Sequence, residues 1–184
     1  MYGGIDVSTN VIGISILDEN KKIIDMFFEK NNSEMTFNEK IDNFFNIISE
    51  CIKKYNIINI SMEDSLLMMT SGNSVYNTVL KLVALNSIIT YLIEKNYPNV
   101  KLNKFLPIQA RKKAWNFSFT EKIWKNIEYD NIPKTSWKKH HIYLTAKKKY
   151  PDIDKFMKFN SKDKFKSENY DCIDSLTMAL CCYE

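Results

Sequence analysis

Tyr2-Gly3-Gly4-Ile5-Asp6-Val7-Ser8-Thr9-Asn10-Val11-Ile12-Gly13-Ile14-Ser15-Ile16-Leu17 is the stretch on which the fold turns. Tyr2–Val7 and Val11–Leu17 are rich in β-branched residues and predict two strands, with the turn residues Ser8-Thr9-Asn10 between them. Asp18-Glu19-Asn20 makes a polar turn into a third strand over 22–28, so the chain opens as an antiparallel meander. Asp6 interrupts this apolar start. A carboxylate at the end of an apolar strand is costly to desolvate unless it is paired, hydrogen-bonded or bound to a cation.

Working outward, Phe37, Ile41, Phe44, Phe45, Ile48 and Ile52 form a stripe that predicts a helix over 35–55, running into a strand over 57–62 that ends at Glu63. Asn73–Asn96 places Val75, Val79, Leu82, Val83, Leu85, Asn86, Ile89, Leu92 and Ile93 on a wide helical face. Lys81, Asn86 and the polar flanks make it a core or dimer helix and not a membrane span, and Pro98 closes it. A fifth strand follows over 100–106, then a short basic helix over 107–114. The last apolar helix, over 170–182, carries Asp171 and Asp174 on one face, because residues three apart are neighbours on a helix. The order is β-β-β-α-β-α-β-α followed by helices, an α/β class.

Four carboxylates thus stand in three separated places: Asp6, Glu63 and the Asp171/Asp174 pair. Taken singly, each has a plain explanation: Asp6 as a turn or cap residue, Glu63 as the first polar residue past a strand, Asp171 and Asp174 as a charged first helical turn. Converging, they would hold metal ions.

The order of elements with an acid in each of these places resembles the ribonuclease H-like nucleases, and more narrowly the RuvC family of Holliday junction resolvases. The matching pieces are Gly4-Ile5-Asp6-Val7-Ser8-Thr9 with Gly13, Ser61-Met62-Glu63-Asp64, and Tyr170-Asp171-x-x-Asp174-Ser175-Leu176-x-x-Ala179-Leu180. Lys81-Leu82-x-x-Leu85-Asn86 and Ala110-Arg111-Lys112-Lys113 are similar to the phage and large-virus branch. The resemblance spans nearly the whole chain. It implies a five-stranded mixed sheet with helices on both faces, and a homodimer that binds a four-way DNA junction and nicks it in pairs. It also implies that Asp6, Glu63, Asp171 and Asp174 are catalytic. Phosphodiester hydrolysis needs an activated water, a polarised phosphate and charge relief at the leaving oxygen, which two divalent cations roughly 4 Å apart can supply. Hard oxygen ligands suit Mg2+ or Mn2+ better than zinc. Asp6 is assigned as the shared ligand of two ions per site, with Glu63 and Asp171/Asp174 serving one or the other.

With 184 residues the chain is read as one domain, 1–184, with a small basic aromatic insertion at about 115–137. The net charge of +4 hides an asymmetry: residues 101–166 hold 18 Lys and Arg against 6 acids, and the rest holds 8 against 16. A basic stretch neutralises phosphates, and ring faces such as Trp115, Trp124 and Trp137 either stack on unpaired bases or pack the insertion onto the body of the domain. Arg111, Lys112, Lys113, Lys138, Lys139, Lys147, Lys148 and Lys149 are the DNA-binding candidates, with a solvated charged face as the alternative. Lys112 or Lys113 is a further candidate for stabilising charge near the scissile phosphate. His140-His141 has no cysteine at metal-ligand spacing nearby and is read as a phosphate contact or a solvent-exposed pair. The apolar loop after Glu63 offers Leu67 and Met68 as a wedge between strands of a junction, or as side chains buried against the long helix.

Cys51, Cys172, Cys181 and Cys182 form no C-x-x-C pattern and no disulfide framework. With no targeting segment at the start, the expected location is a reducing cytoplasm, the host's if the chain is viral or phage-encoded. No membrane partner and no small-molecule cofactor are expected. Gly4-Ile5-Asp6-Val7-Ser8-Thr9 also resembles the first phosphate loop of sugar kinases and actin-like ATPases, but no later Asp-x-Gly stretch supplies a second one. A related nuclease acting on forks, flaps or RNA–DNA hybrids, or a non-catalytic nucleic-acid-binding module, remains as the alternative.

Overall fold

The computed structural model describes residues 1–64, 73–116, 136–159 and 165–183, with backbone alone for 73–76. Alternating apolar residues build three antiparallel strands, β1 (Tyr2–Val7), β2 (Val11–Leu17) and β3 (Ile23–Lys30). Ser8 closes the first turn: Val11 N–H donates to Ser8 Oγ at 3.0 Å and Ser8 N–H to the Val11 carbonyl at 2.8 Å. The helix α1 (Phe37–Tyr55) starts at a capping box in which the Thr36 and Glu39 side chains satisfy each other's backbone N–H groups. It ends at Asn56 in the left-handed conformation. Strand β4 (Asn59–Glu63), helix α2 (Asn73–Asn96), strand β5 (Lys101–Phe105) and helix α3 (Pro107–Trp115) follow. Helix α4 (Trp137–Lys149), a 3-10 turn (Pro151–Phe156) and helix α5 (Asn169–Leu180) complete the described elements.

The sheet order is β3-β2-β1-β4-β5, with β1, β2 and β3 antiparallel and β4 and β5 parallel to β1. This is the five-stranded mixed sheet of a ribonuclease H-like α/β fold. Because side chains alternate across a sheet, the two faces separate cleanly. Ile5, Val7, Ile12, Ile14, Ile16, Ile60 and Met62 bury against Phe44 and Ile48 of α1 and Leu85, Ile89 and Ile93 of α2. On the opposite face, Leu17, Ile23, Met26 and Phe28 pack with Ile142 and Ala146 of α4 and Cys172, Leu176 and Ala179 of α5. Each buried Val, Ile, Leu, Met or Phe side chain among these contributes roughly 1.5–3 kcal/mol by leaving water.

Gly4 and Gly13 let α5 lie directly on β1 and β2. A Cβ built at Gly13 would stand 2.2 Å from the Asp171 carbonyl oxygen, and one at Gly4 would stand 1.9 Å from that of Ser175. The helix is also tied down by polar bonds: Ser15 and Ser175 hydroxyls lie 2.7 Å apart, and Asn59 Nδ2 donates to the Cys182 carbonyl at 3.2 Å. No helix among the described residues is long and apolar enough to cross a membrane.

Candidate carboxylate site

Asp6 and Glu63 come together through strand register. Ile5 pairs with Met62 across the parallel β1–β4 ladder, so the next residues on each strand are neighbours at its carboxyl end. Both acids fall on the face that α5 covers, the same face as Gly4, Gly13 and Ser61, and the close approach allowed by the two glycines brings the first turns of α5 alongside. Asp171 and Asp174, one helical turn apart, therefore join Asp6 and Glu63 at one place.

Two basic side chains enter the same cluster. Arg111 on α3 approaches Asp174 Oδ1 with Nη2 at 3.3 Å, and Lys139 on α4 places Nζ 3.0 Å from Asp174 Oδ2 and 3.9 Å from Asp171 Oδ1. The carboxylates still outnumber the cations. Burial first, then the charges of Asp174, Glu63 and Asp171, push the Asp6 carboxyl well above its ordinary value. Burial and Asp174 push Glu63 up to about 7 against the lowering pull of Arg111 and Lys139. Asp171 is raised by burial and Asp174, with Lys139 opposing. Burial alone would depress the Lys139 ammonium, yet Asp174, Asp6 and Asp171 together hold it up at about 12.

Such a cluster fits a hard divalent cation in the kind of donors it offers, all carboxylate oxygens, and in the mutual repulsion that a cation would relieve. Its oxygens are not gathered about one point: among the described residues no three His, Cys, Asp or Glu side chains are grouped so as to grip a single ion.

The remaining sequence candidates are scattered around this site. Arg111 and Lys139, grouped in the sequence with the DNA-binding candidates, are turned into the carboxylates. Lys112, Lys113, Lys138, Lys148 and Lys149 are exposed, with Lys113 over the Phe105 ring and Lys149 over the Trp115 and Tyr150 rings. Lys147 pairs with Asp154. His140 is half-buried and not a solvent-exposed side chain. Its Nδ1 lies 3.1 Å from the Tyr170 hydroxyl, and its ring sits among Tyr143, Phe165 and Tyr170, so burial holds its pKa below the usual histidine value. Trp115 packs on the body of the fold, donating from Nε1 to Thr177 Oγ1 at 2.9 Å. Leu67, Met68, Trp124 and most of the insertion lie outside the described residues.

Sequence reasoning missed the inward turn of Arg111 and Lys139 and the roles of Gly4 and Gly13. For the glycines a signal was available, because glycine inside a strand marks close backbone approach. For the two cations none was, since each sits in a run of exposed basic residues.

The fold is shared with solved structures. RuvC of Thermus thermophilus in complex with a Holliday junction substrate superposes with a TM-score of 0.57 at 12% identity, over 97% of this chain and 88% of that one. A second structure of Thermus thermophilus RuvC gives 0.56 at 11%, over 97% and 90%. The yeast mitochondrial Holliday junction resolvase Ydc2 gives 0.50 at 15%, over 97% and 75%. At these identities the likeness is one of fold. No protein-family model matches the chain, and no curated protein does.

Proposed function

We propose that this chain is a metal-dependent endonuclease that resolves four-way DNA junctions by paired nicks, acting as one catalytic domain over residues 1–184 in a homodimer. The observation that carries the reading is the meeting of Asp6, Glu63, Asp171 and Asp174 at one end of a ribonuclease H-like sheet. The fold's likeness to proteins named as Holliday junction resolvases supports the choice of substrate. The similarity of Lys81-Leu82-x-x-Leu85-Asn86 and Ala110-Arg111-Lys112-Lys113 to the phage and large-virus branch supports a narrower placement there.

Asp6, Glu63, Asp171 and Asp174 would hold magnesium or manganese, with Asp6 shared between two ions. Such a pair supplies an activated water, a polarised phosphate and charge relief at the leaving oxygen. The chain itself supplies position. The acids stand on two strand ends and one helix, rigid elements that fix their spacing, while Arg111 adds a fixed positive charge beside Asp174. Lys112, Lys113, Lys138, Lys148 and Lys149 form the exposed basic surface for the flanking phosphates. Leu67 and Met68, four and five positions past the end of β4 in the sequence, are the wedge candidates. The exposed face of α2, with Leu80, Ile88 and Tyr91, is the surface offered to the second copy, because its opposite face is already buried in the core.

The test is magnesium-dependent cleavage of an end-labelled synthetic four-way junction beside linear duplex, fork, flap and RNA–DNA hybrid. Symmetric nicks confined to the junction are expected. Preferential cutting of a fork, flap or hybrid would replace the substrate, and junction binding without any cutting in magnesium or manganese would favour a non-catalytic binding module.

A further inference from the structure

Resting on the metal-site reading above, we propose that Lys139 is a resident counter-ion that a divalent cation displaces from the carboxylate cluster, so that the lysine sets the protein's metal affinity. The geometry of Asp174 carries the inference. Both of its oxygens are taken, Oδ1 by Arg111 at 3.3 Å and Oδ2 by Lys139 at 3.0 Å. The same ammonium also lies 3.9 Å from Asp171 Oδ1, so one cation bridges both acids of α5. A metal ion binding these oxygens would share them with an ammonium a few ångströms away, and two cations at that separation repel strongly where water is scarce. One of them has to leave.

The two basic residues differ in their freedom to do so. The Arg111 side chain is 13% exposed, on a helix whose Ala110 is packed against Met178 and Cys181 of the α5 region. Its guanidinium stays charged at every working pH. The Lys139 side chain is 41% exposed, in the first turn of α4, and ends a flexible four-carbon stem. Lys139 is therefore the displaceable cation and Arg111 the fixed one. Without metal, Lys139 limits the repulsion among four carboxylates and keeps the cluster assembled. With metal, that task passes to the ion.

Lys139 is a positioning residue on this account, and its test needs no turnover. Free Mn2+ is followed by its electron paramagnetic resonance signal while manganese is titrated into the full chain, for the wild type, Lys139→Met, Lys139→Arg and Asp6→Asn. Thermal melts of each are recorded in a chelator and in manganese. Lys139→Met is expected to bind manganese about 10-fold more tightly than the wild type, within the range of roughly 5–150-fold typical of coupled sites. It should melt lower in the chelator, with a larger rise on adding metal. Lys139→Arg keeps the charge and should bind like the wild type or more weakly. Lys139→Gln serves in place of the methionine variant should that side chain disturb the packing. Equal or weaker binding by Lys139→Met and Lys139→Gln, while Asp6→Asn abolishes binding, overturns the counter-ion role and leaves the metal site standing. Absence of binding in the wild type and every Lys139 variant overturns both.

Discussion

Replacing Gly13 by alanine tests how α5 is seated. The added Cβ would stand 2.2 Å from the Asp171 carbonyl oxygen and 2.5 Å from its carbonyl carbon. Carbon and oxygen need more than an ångström of further separation, and the obstacle is helix backbone, which no rotamer change can remove. The first turn of α5 must lift from the sheet, taking Asp171 and Asp174 with it. Overpacking of this kind costs about 1–3 kcal/mol, more when backbone has to move. A displacement of about 1 Å at the reacting groups lowers turnover roughly 100-fold. Gly3→Ala is the matched control, since the nearest atoms to its Cβ would be Ile57 and Ile60 side-chain carbons at 3.4 Å, an ordinary van der Waals contact. Urea denaturation of both variants, paired with junction cleavage in magnesium, makes the comparison. Gly13→Ala is expected to lose stability and activity while Gly3→Ala stays within about 0.5 kcal/mol of wild type. Equal midpoints for the two would refute direct seating of α5 on β2.

Further outcomes follow from the charges. Arg111→Met leaves Asp174 buried with half its partners gone and should cost about 3 kcal/mol in urea denaturation at neutral pH, the range for breaking one side of a buried pair; a change below 1 kcal/mol would remove Arg111 from that role. Glu63, with its folded pKa raised to about 7, favours folding while protonated, so its contribution is complete below the ordinary carboxylate range and is lost as pH rises through about 7. The metal-free protein should therefore melt lower at pH 8 than at pH 5.5, a difference of the order of 2–3 kcal/mol, whereas apparent metal affinity should rise over the same interval because the ligands must be ionised. Asp6→Asn removes one of four repelling charges and should raise the melting temperature of the metal-free protein at pH 8 while abolishing cleavage; a lower melting temperature would show that Asp6 is held by partners and not strained by neighbours.

Much of the architecture is legible in the residues, because period-2 and helical patterns are strong where one face is buried. β1, β2 and α2 fall where the apolar pattern sets them, β3, α1, β4, β5, α3 and α5 lie within two residues of expectation, and α4 and the 3-10 turn had no expected bounds. The shifts have local causes: the α1 cap at Thr36 delays the helix expected from 35, and Ile57 and Ile58 precede the ladder that starts at Asn59. The i, i+3 spacing of Asp171 and Asp174 was readable. The nearness of Glu63 to Asp6 depends on register between strands about 57 residues apart in the chain, and that of Asp171 and Asp174 on how α5 seats on Gly4 and Gly13; pattern alone fixes neither. The same limit hid Arg111 and Lys139, whose partners on α5 are supplied by tertiary packing and not by neighbours in sequence. The half-burial of His140 escaped for a related reason: a basic run suggests a wet face, but Tyr143 one turn along the same helix is joined over its ring by Phe165 and Tyr170 from a later part of the chain.

The central claim is that four acids act as one site. It is tested most directly by single-turnover cleavage of a labelled four-way junction in magnesium by Asp6→Asn, Glu63→Gln, Asp171→Asn and Asp174→Asn, with junction binding measured in parallel. All four are expected to bind the junction and to cut it at least about 1,000-fold more slowly than the wild type, a barrier rise of about 4 kcal/mol. Cleavage by any one of them at close to the wild-type rate would contradict the account.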